Sequence, residues 1–127
     1  MTRFVTIALS MLAGAALGAA AVQGLHAQAK PPIYVVTEID VTDVDTYLKD
    51  YAPKAQALIR ASGGRVLAGG QNVTSLEGAP PARRVAISSF DSMDKIQAWR
   101  NSAEFKQNRQ AGDKLAKFRS FTVEGTP

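Results

Sequence analysis

Between residues 33 and 41 the chain reads Ile-Tyr-Val-Val-Thr-Glu-Ile-Asp-Val, a run dense in β-branched and aromatic side chains. Such a run predicts a strand. Its odd positions, Ile33, Val35, Thr37, Ile39 and Val41, make the more apolar face; its even positions, Tyr34, Val36, Glu38 and Asp40, make a mixed one. Successive strand side chains point to opposite faces, so these two faces meet different surroundings. The period then changes. Tyr47, Tyr51, Ala55, Leu58 and Ile59 recur at helical spacing, behind Thr42-Asp43-Val44-Asp45, which matches a capping box. Pro53 lacks an amide and crowds the turn before it, so it predicts a kink or a split into two helices. Ser62-Gly63-Gly64 ends the run, because glycine accepts the left-handed C-cap.

Arg65 to Ala68 reads as a second strand, interrupted at Gly69-Gly70 and continued over Asn72 to Leu76 after a bulge or tight turn. Glu77-Gly78-Ala79-Pro80-Pro81 is a loop. Arg83 to Phe90 predicts a third strand, with Val85 and Ile87 on one face and Arg84, Ala86 and Ser88 on the other. Asp91 is placed to cap a helix whose buried side carries Ile96 and Trp99. Asn101-Ser102-Ala103-Glu104 opens a further helical segment with Phe105, running to about Leu115 and weakened near its end by Gly112. Phe118 to Glu124 predicts the fourth strand, with Phe121 and Val123 on one face.

The order β-α-β-β-α-β is the split βαβ, or ferredoxin-like, α+β arrangement: a four-stranded antiparallel sheet with two helices on one face. The uncovered face is expected to carry Tyr34, Val36, Glu38, Arg84, Ala86 and Ser88. That set is too apolar for plain solvent surface and too polar for plain core. A partner sheet enclosing a small polar-lined cavity suits it, although an antiparallel sheet also tolerates one wet face.

Ahead of this domain the chain carries a different pattern. Met1-Thr2-Arg3 is a short basic start, Phe4 to Gln23 is uncharged and rich in Ala, Leu, Val and Gly, and Ala27-Gln28-Ala29 is a small-x-small site. In that order they form a secretory signal peptide over residues 1–29, leaving residues 30–127 as one domain. Cleavage after Ala27 instead would leave Leu25 where a small residue is preferred. Retained, the uncharged run approaches the about 20 residues of a spanning helix, and the membrane becomes a partner only in that case. The sequence has no cysteine for lipid attachment and no Arg-Arg pair before the apolar run, which favours the general secretory route. The expected location is the bacterial periplasm or the medium.

Composition narrows the chemistry. The single histidine is His26, inside the leader, and there is no cysteine. The processed domain therefore excludes a Ser-His-Asp triad, a cysteine nucleophile, imidazole or thiolate metal sites and disulfides. Asp40, Asp43, Asp45 and Asp50 lack the glycine and terminal glutamate of a calcium loop and read as turn and helix-start residues. No metal and no cofactor are expected. The net charge is +4, one unit of it from Arg3. This mild surplus without a clustered basic stripe gives no reason to expect nucleic acid. A domain this small buries only about 65% of its unfolded surface, so association with a second copy helps it.

Tyr34-Val35-Val36-Thr37-Glu38-Ile39, Gly63-Gly64-Arg65, Leu76-Glu77-Gly78, Arg83-Arg84-Val85, Phe90-Asp91-Ser92, Trp99, Ser102-Ala103-Glu104-Phe105 and Val123-Glu124-Gly125 follow one another across the domain. In this order and spacing the chain resembles the domain-of-unknown-function family 1330 (DUF1330), small dimeric α+β barrel proteins. It departs at Ala103, where the family usually has proline, and in its leader, since the family is mostly cytoplasmic. The resemblance implies a homodimer in which the sheet of one subunit packs against that of the other. Related dimeric barrels include cofactor-free monooxygenases and small-molecule-degrading enzymes. The family itself carries no agreed reaction, and a fold does not determine one.

The candidate ligand-binding residues are Tyr34, Glu38, Arg84, Ser88, Trp99, Ser102 and Glu104. Glu38 could act as a base or orient a ligand; alternatively it pairs with Arg84 across the sheet. Arg83 and Arg84 alternate, so only one points inward; Arg84 could hold an anion bidentately or sit as an edge or interface charge. Trp99 and Phe105 suit a small core, and Ser102 and Glu104 suit a helix cap. Lys106, Arg109, Lys114, Lys117 and Arg119 suit a solvated face near a helix C-terminus. Two functions stay open: a homodimer binding a small molecule between its sheets, or a non-enzymatic envelope protein whose sheet face is only an oligomer interface.

Overall fold

The alternating run becomes β1 (Ile33–Val41) in the computed structural model, which describes residues 30–127. The leader expected over residues 1–29, with its Ala27-Gln28-Ala29 site and His26, lies outside the described residues. After β1 come α1 (Val44–Thr46), a π-helical segment (Tyr47–Tyr51), α2 (Ala52–Ala61), β2 (Arg65–Gly70), β3 (Arg84–Phe90), α3 (Met93–Asn101), α4 (Ala103–Asp113) and β4 (Ala116–Glu124). The strands lie in the order β2-β3-β1-β4, and every neighbouring pair is antiparallel. The helices cover one face. The fold is ferredoxin-like α+β, as the element order predicts.

Local chemistry accounts for the boundaries. The first helix starts one residue later than a Thr42 cap implies: Asp43 Oδ1 accepts from Thr46 N at 3.1 Å and Oδ2 from Thr46 Oγ1 at 2.8 Å. Those two bonds hold the Asp43 carboxyl below its ordinary range. Thr42 Oγ1 instead donates to Leu115 O at 2.9 Å, tying the end of β1 to the start of β4. The break expected at Pro53 takes the form of the π-helical segment before it. Ala52 N–H donates to Tyr47 O, five residues back, and Pro53 stands in the first turn of α2, where a missing amide costs little. Gly63, at φ +83, and Gly64 close the helix by donating to Arg60 O and Ile59 O at 3.1 and 2.9 Å, a Schellman ending.

Two expectations of detail are corrected. Asn72 to Leu76 does not continue β2, which ends at Gly70; residues 71–83 form a loop in which Leu76 is 95% exposed. Ser92, not Asp91, caps α3, accepting from Lys95 N at 3.2 Å, while Asp91 pairs with Lys95 Nζ at 3.1 Å.

The core forms two groups on the helix side of the sheet. One is Val35, Phe90, Ile96, Trp99 and Phe105; the other is Ile39, Tyr47, Tyr51 and Ala116. Both draw on the odd, apolar positions of β1, and each gathers aromatic rings that supply much of a small core's buried area. In the first group Phe90 stacks on Trp99 (5.1 Å, 28°) and Trp99 meets Phe105 edge-on (5.0 Å, 75°).

Candidate ligand-binding site

The register decides which residues share a face. Val35 stands opposite Ser88, Thr37 opposite Ala86 and Ile39 opposite Arg84. Residues directly opposite in an antiparallel pair project to the same side, so Arg84, Ala86 and Ser88 face the helices. This corrects the expectation that they join Tyr34, Val36 and Glu38 on the uncovered face. The even residues of β1 are matched instead by Val85, Ile87 and Ser89 of β3 and by Arg119, Phe121 and Val123 of β4.

On the helix side the sheet and helices frame a cavity of about 150 Å³ that is open to solvent on one side. Its sheet wall carries Thr37, Arg84, Ala86, Ser88 and Phe118. Tyr47 and Tyr51 enter from the π-helical segment, Leu58 and Ile59 from α2, Trp99 from α3, and Phe105, Asn108 and Arg109 from α4. The lining draws on both core groups. None of the described residues that line it is an aspartate or glutamate.

Three of the polar side chains there, Arg84, Arg109 and Trp99, can only donate. The Arg84 guanidinium lies 5.3 Å from the centre of the Tyr47 ring. That of Arg109 lies 3.9 Å from the Phe118 ring and 5.0 Å from Phe105, and its Nε donates to Tyr51 Oη at 3.2 Å. Among the described residues the ion pairs are Lys95–Asp91 and Arg119–Glu38, so neither pocket arginine has a carboxylate partner there. Burial raises the pKa of both Tyr47 and Tyr51 above the ordinary 10.0. Burial, with the nearby charge of Arg109, lowers that of Arg100, whose guanidinium lies 4.7 Å from the Phe105 ring. Trp99 is 6% exposed, and its indole Nε1 is buried without a hydrogen-bond partner.

Of the seven residues singled out from the sequence, Arg84, Ser88 and Trp99 line this cavity. Tyr34 and Glu38 lie on the opposite face. Glu38 is held by Arg119 Nη1 at 2.9 Å and by Ala82 N at 3.2 Å; it does not pair with Arg84, which projects from the other side of the sheet. Ser102 is a cap on both sides of a helix junction: its Oγ donates to Trp99 O at 2.8 Å and accepts from Phe105 N at 3.2 Å. Glu104 is exposed in the first turn of α4. Thr37, Tyr47, Tyr51, Asn108, Arg109 and Phe118 complete the site without having been read as such. The four-residue spacing of Tyr47 and Tyr51 is the one signal in the sequence, since two phenols on one buried helix face bring hydroxyls as well as rings.

The uncovered face is partly apolar. Val36, Val85 and Ile87 are half-buried, and Phe121 and Val123 are 45% and 53% exposed. Arg119, paired with Glu38, also lies 5.7 Å from the Phe121 ring.

The model of a family described as "Domain of unknown function (DUF1330)" matches residues 32–126. No curated protein matches the chain. Among solved structures, a protein of unknown function from Rhodopseudomonas palustris aligns at TM-score 0.63 and 13% identity, over 84% of this chain and 92% of that one. SnoaB, a cofactor-independent oxygenase from Streptomyces nogalater, aligns at 0.58 and 12%, over 76% of this chain and 95% of its own. A dimeric protein of unknown function and ferredoxin-like fold from Bacteroides fragilis aligns at 0.52 and 12%, over 74% and 96%. At these identities the likeness is one of fold.

Proposed function

The chain belongs to the DUF1330 family, and from that premise we propose that it is an exported homodimer that binds a small, largely apolar molecule between its sheet and its helices. The observation that carries the ligand is the helix-side cavity: about 150 Å³, with aromatic walls, two arginines without carboxylate partners and a buried indole N–H with nothing to donate to. A few convergent polar groups in an apolar concavity are the usual make-up of a small-molecule site. The unsatisfied indole fits it further, because a buried polar group without a partner costs free energy that a ligand acceptor returns.

The second copy is supported by Val36, Phe121 and Val123 on the uncovered face, since a monomer seldom leaves such a patch open. The dimeric Bacteroides fragilis protein of the same fold agrees with it. Interface and ligand then occupy opposite faces of one sheet and do not compete. Export to the periplasm or the medium is supported by the charged start, apolar run and Ala27-Gln28-Ala29 site.

Native mass spectrometry of the protein purified from its own compartment tests all three parts. The expected result is a dimer whose subunits begin near Lys30, with added mass from a bound small molecule released on denaturation. A monomer would remove the second copy, and an intact leader would replace export by anchoring. A ligand-free protein whose cavity takes up no small aromatic compound would remove the binding site.

A further inference from the structure

The charge of the cavity goes further than its shape. Two half-buried arginines, Arg84 and Arg109, stand on its walls, and no aspartate or glutamate is among the described residues lining it. Arg84 lies 5.3 Å from the Tyr47 ring centre and Arg109 bonds Tyr51 Oη at 3.2 Å, and those two rings stand 5.2 Å apart, so two like charges flank one pair of phenols. Asp113, one helical turn beyond Arg109, is exposed and forms no ion pair among the described residues.

Their ring contacts do not use up these arginines. A guanidinium lying over a ring offers its face and keeps its N–H donors directed outward in its own plane. Arg84 lies over Tyr47, and its guanidinium forms no hydrogen bond among the described residues. Arg109 spends only Nε, on Tyr51 Oη at 3.2 Å. Trp99 adds a third donor without an acceptor. Donors of this number with no anion among them match a ligand that brings the negative charge with it. The scale is one ring: a cavity of about 150 Å³ is the size that takes up benzene, and Trp99 and Phe105 supply aromatic surface beside it.

We propose that the ligand is an organic oxyanion, a single-ring aromatic or alicyclic acid, with its ring against Trp99 and Phe105 and its ionised oxygens at Arg84 and Arg109. This rests on the binding site proposed above and assigns the chemical class that the site selects. Carboxylates and ionised phenols share the required chemistry.

Trp99 is the sole tryptophan of the chain, so its fluorescence reports on this wall alone. The purified protein is titrated with benzoate, with pentafluorophenolate and with the neutral isostere benzamide. The expected result is a saturable change in emission, with at least one oxyanion binding about tenfold more tightly than benzamide, as a half-exposed charge-assisted contact gives. Arg84→Gln should remove most of that preference by weakening the oxyanions far more than it weakens benzamide. Arg84→Lys, which keeps the charge but not the planar fork, should retain part of it and guards against a folding defect. Equal binding of benzoate, pentafluorophenolate and benzamide overturns the oxyanion and leaves the pocket standing. Binding of none of them overturns the pocket, and the oxyanion with it. A preference that survives Arg84→Gln unchanged overturns the role given to Arg84.

Discussion

Gly112 provides the seat of the Tyr51 ring: a β-carbon built on Gly112 would stand 2.8 Å from Tyr51 Cδ2 and 3.0 Å from Cζ. The glycine that weakens α4 as an isolated helix is what lets α4 lie against the wall of the pocket. Gly112→Ala should therefore destabilise the protein, although alanine is the better helix former by about 1 kcal/mol. Overpacking of this kind costs about 1–3 kcal/mol. Urea denaturation checks the sign: a rise in the midpoint would mean that the ring moves aside freely.

Ser102 joins α3 to α4 through Trp99 O and Phe105 N. Ser102→Ala should cost about 1 kcal/mol, the ordinary loss of an N-cap, whereas Ser102→Thr should recover most of it. The same urea experiment measures both. Because both partners belong to pocket residues, the alanine variant should also shift the emission maximum of Trp99.

Phe121 lies on the uncovered face at 45% exposure. Phe121→Lys should leave the thermal midpoint of a single subunit nearly unchanged, because little core is lost. It should convert the proposed dimer to monomer in sedimentation velocity, because a desolvated unpaired charge is not tolerated at the centre of an interface. A variant that stays dimeric would move the interface off this face.

Tyr47 and Tyr51 give the protein an alkaline limit. Burial raises both folded-state pKa values above the ordinary 10.0. The unfolded chain then releases its phenol protons first as pH rises. Stability is fully present below pH 10.0 and falls as pH climbs from there through the folded values. Thermal midpoints measured across this range should decline, and Tyr51→Phe should flatten the decline even though it gives up the bond to Arg109.

Strand β1 was legible in the sequence to the residue, Ile33–Val41, because nine alternating positions rich in Val and Ile leave little choice. The element order, and through it the fold, followed from similar runs. The faces were harder. Alternation says that Arg84, Ala86 and Ser88 share a side, but only the pairing of Thr37 with Ala86 says that it is the side of the helices. Polarity pointed the other way, because Arg84 and Ser88 are polar residues on a mainly apolar side. Their polarity belongs to the pocket, not to solvent. Arg109 was hidden for a related reason. With Lys106 and Lys114 it reads as part of a solvated basic face, and only the packing of α4 over Phe118 brings it inward. The choice of Ser92 over Asp91 as cap is a contest between adjacent residues that the sequence leaves nearly even.

β1 lies between β3 and β4 in the sheet, so the first strand of the domain has one flank closed by the last. Thr37 and Ser120, whose hydroxyls meet at 3.0 Å, are separated by 83 positions. At the far end of the same pair Gly125 N donates to Pro32 O at 2.8 Å. Nothing can hold that flank until the C-terminal strand has left the ribosome, and closing a loop of this length makes sheet formation a late, slow event. The export proposed above asks for a chain that can still be threaded, and this strand order supplies the delay.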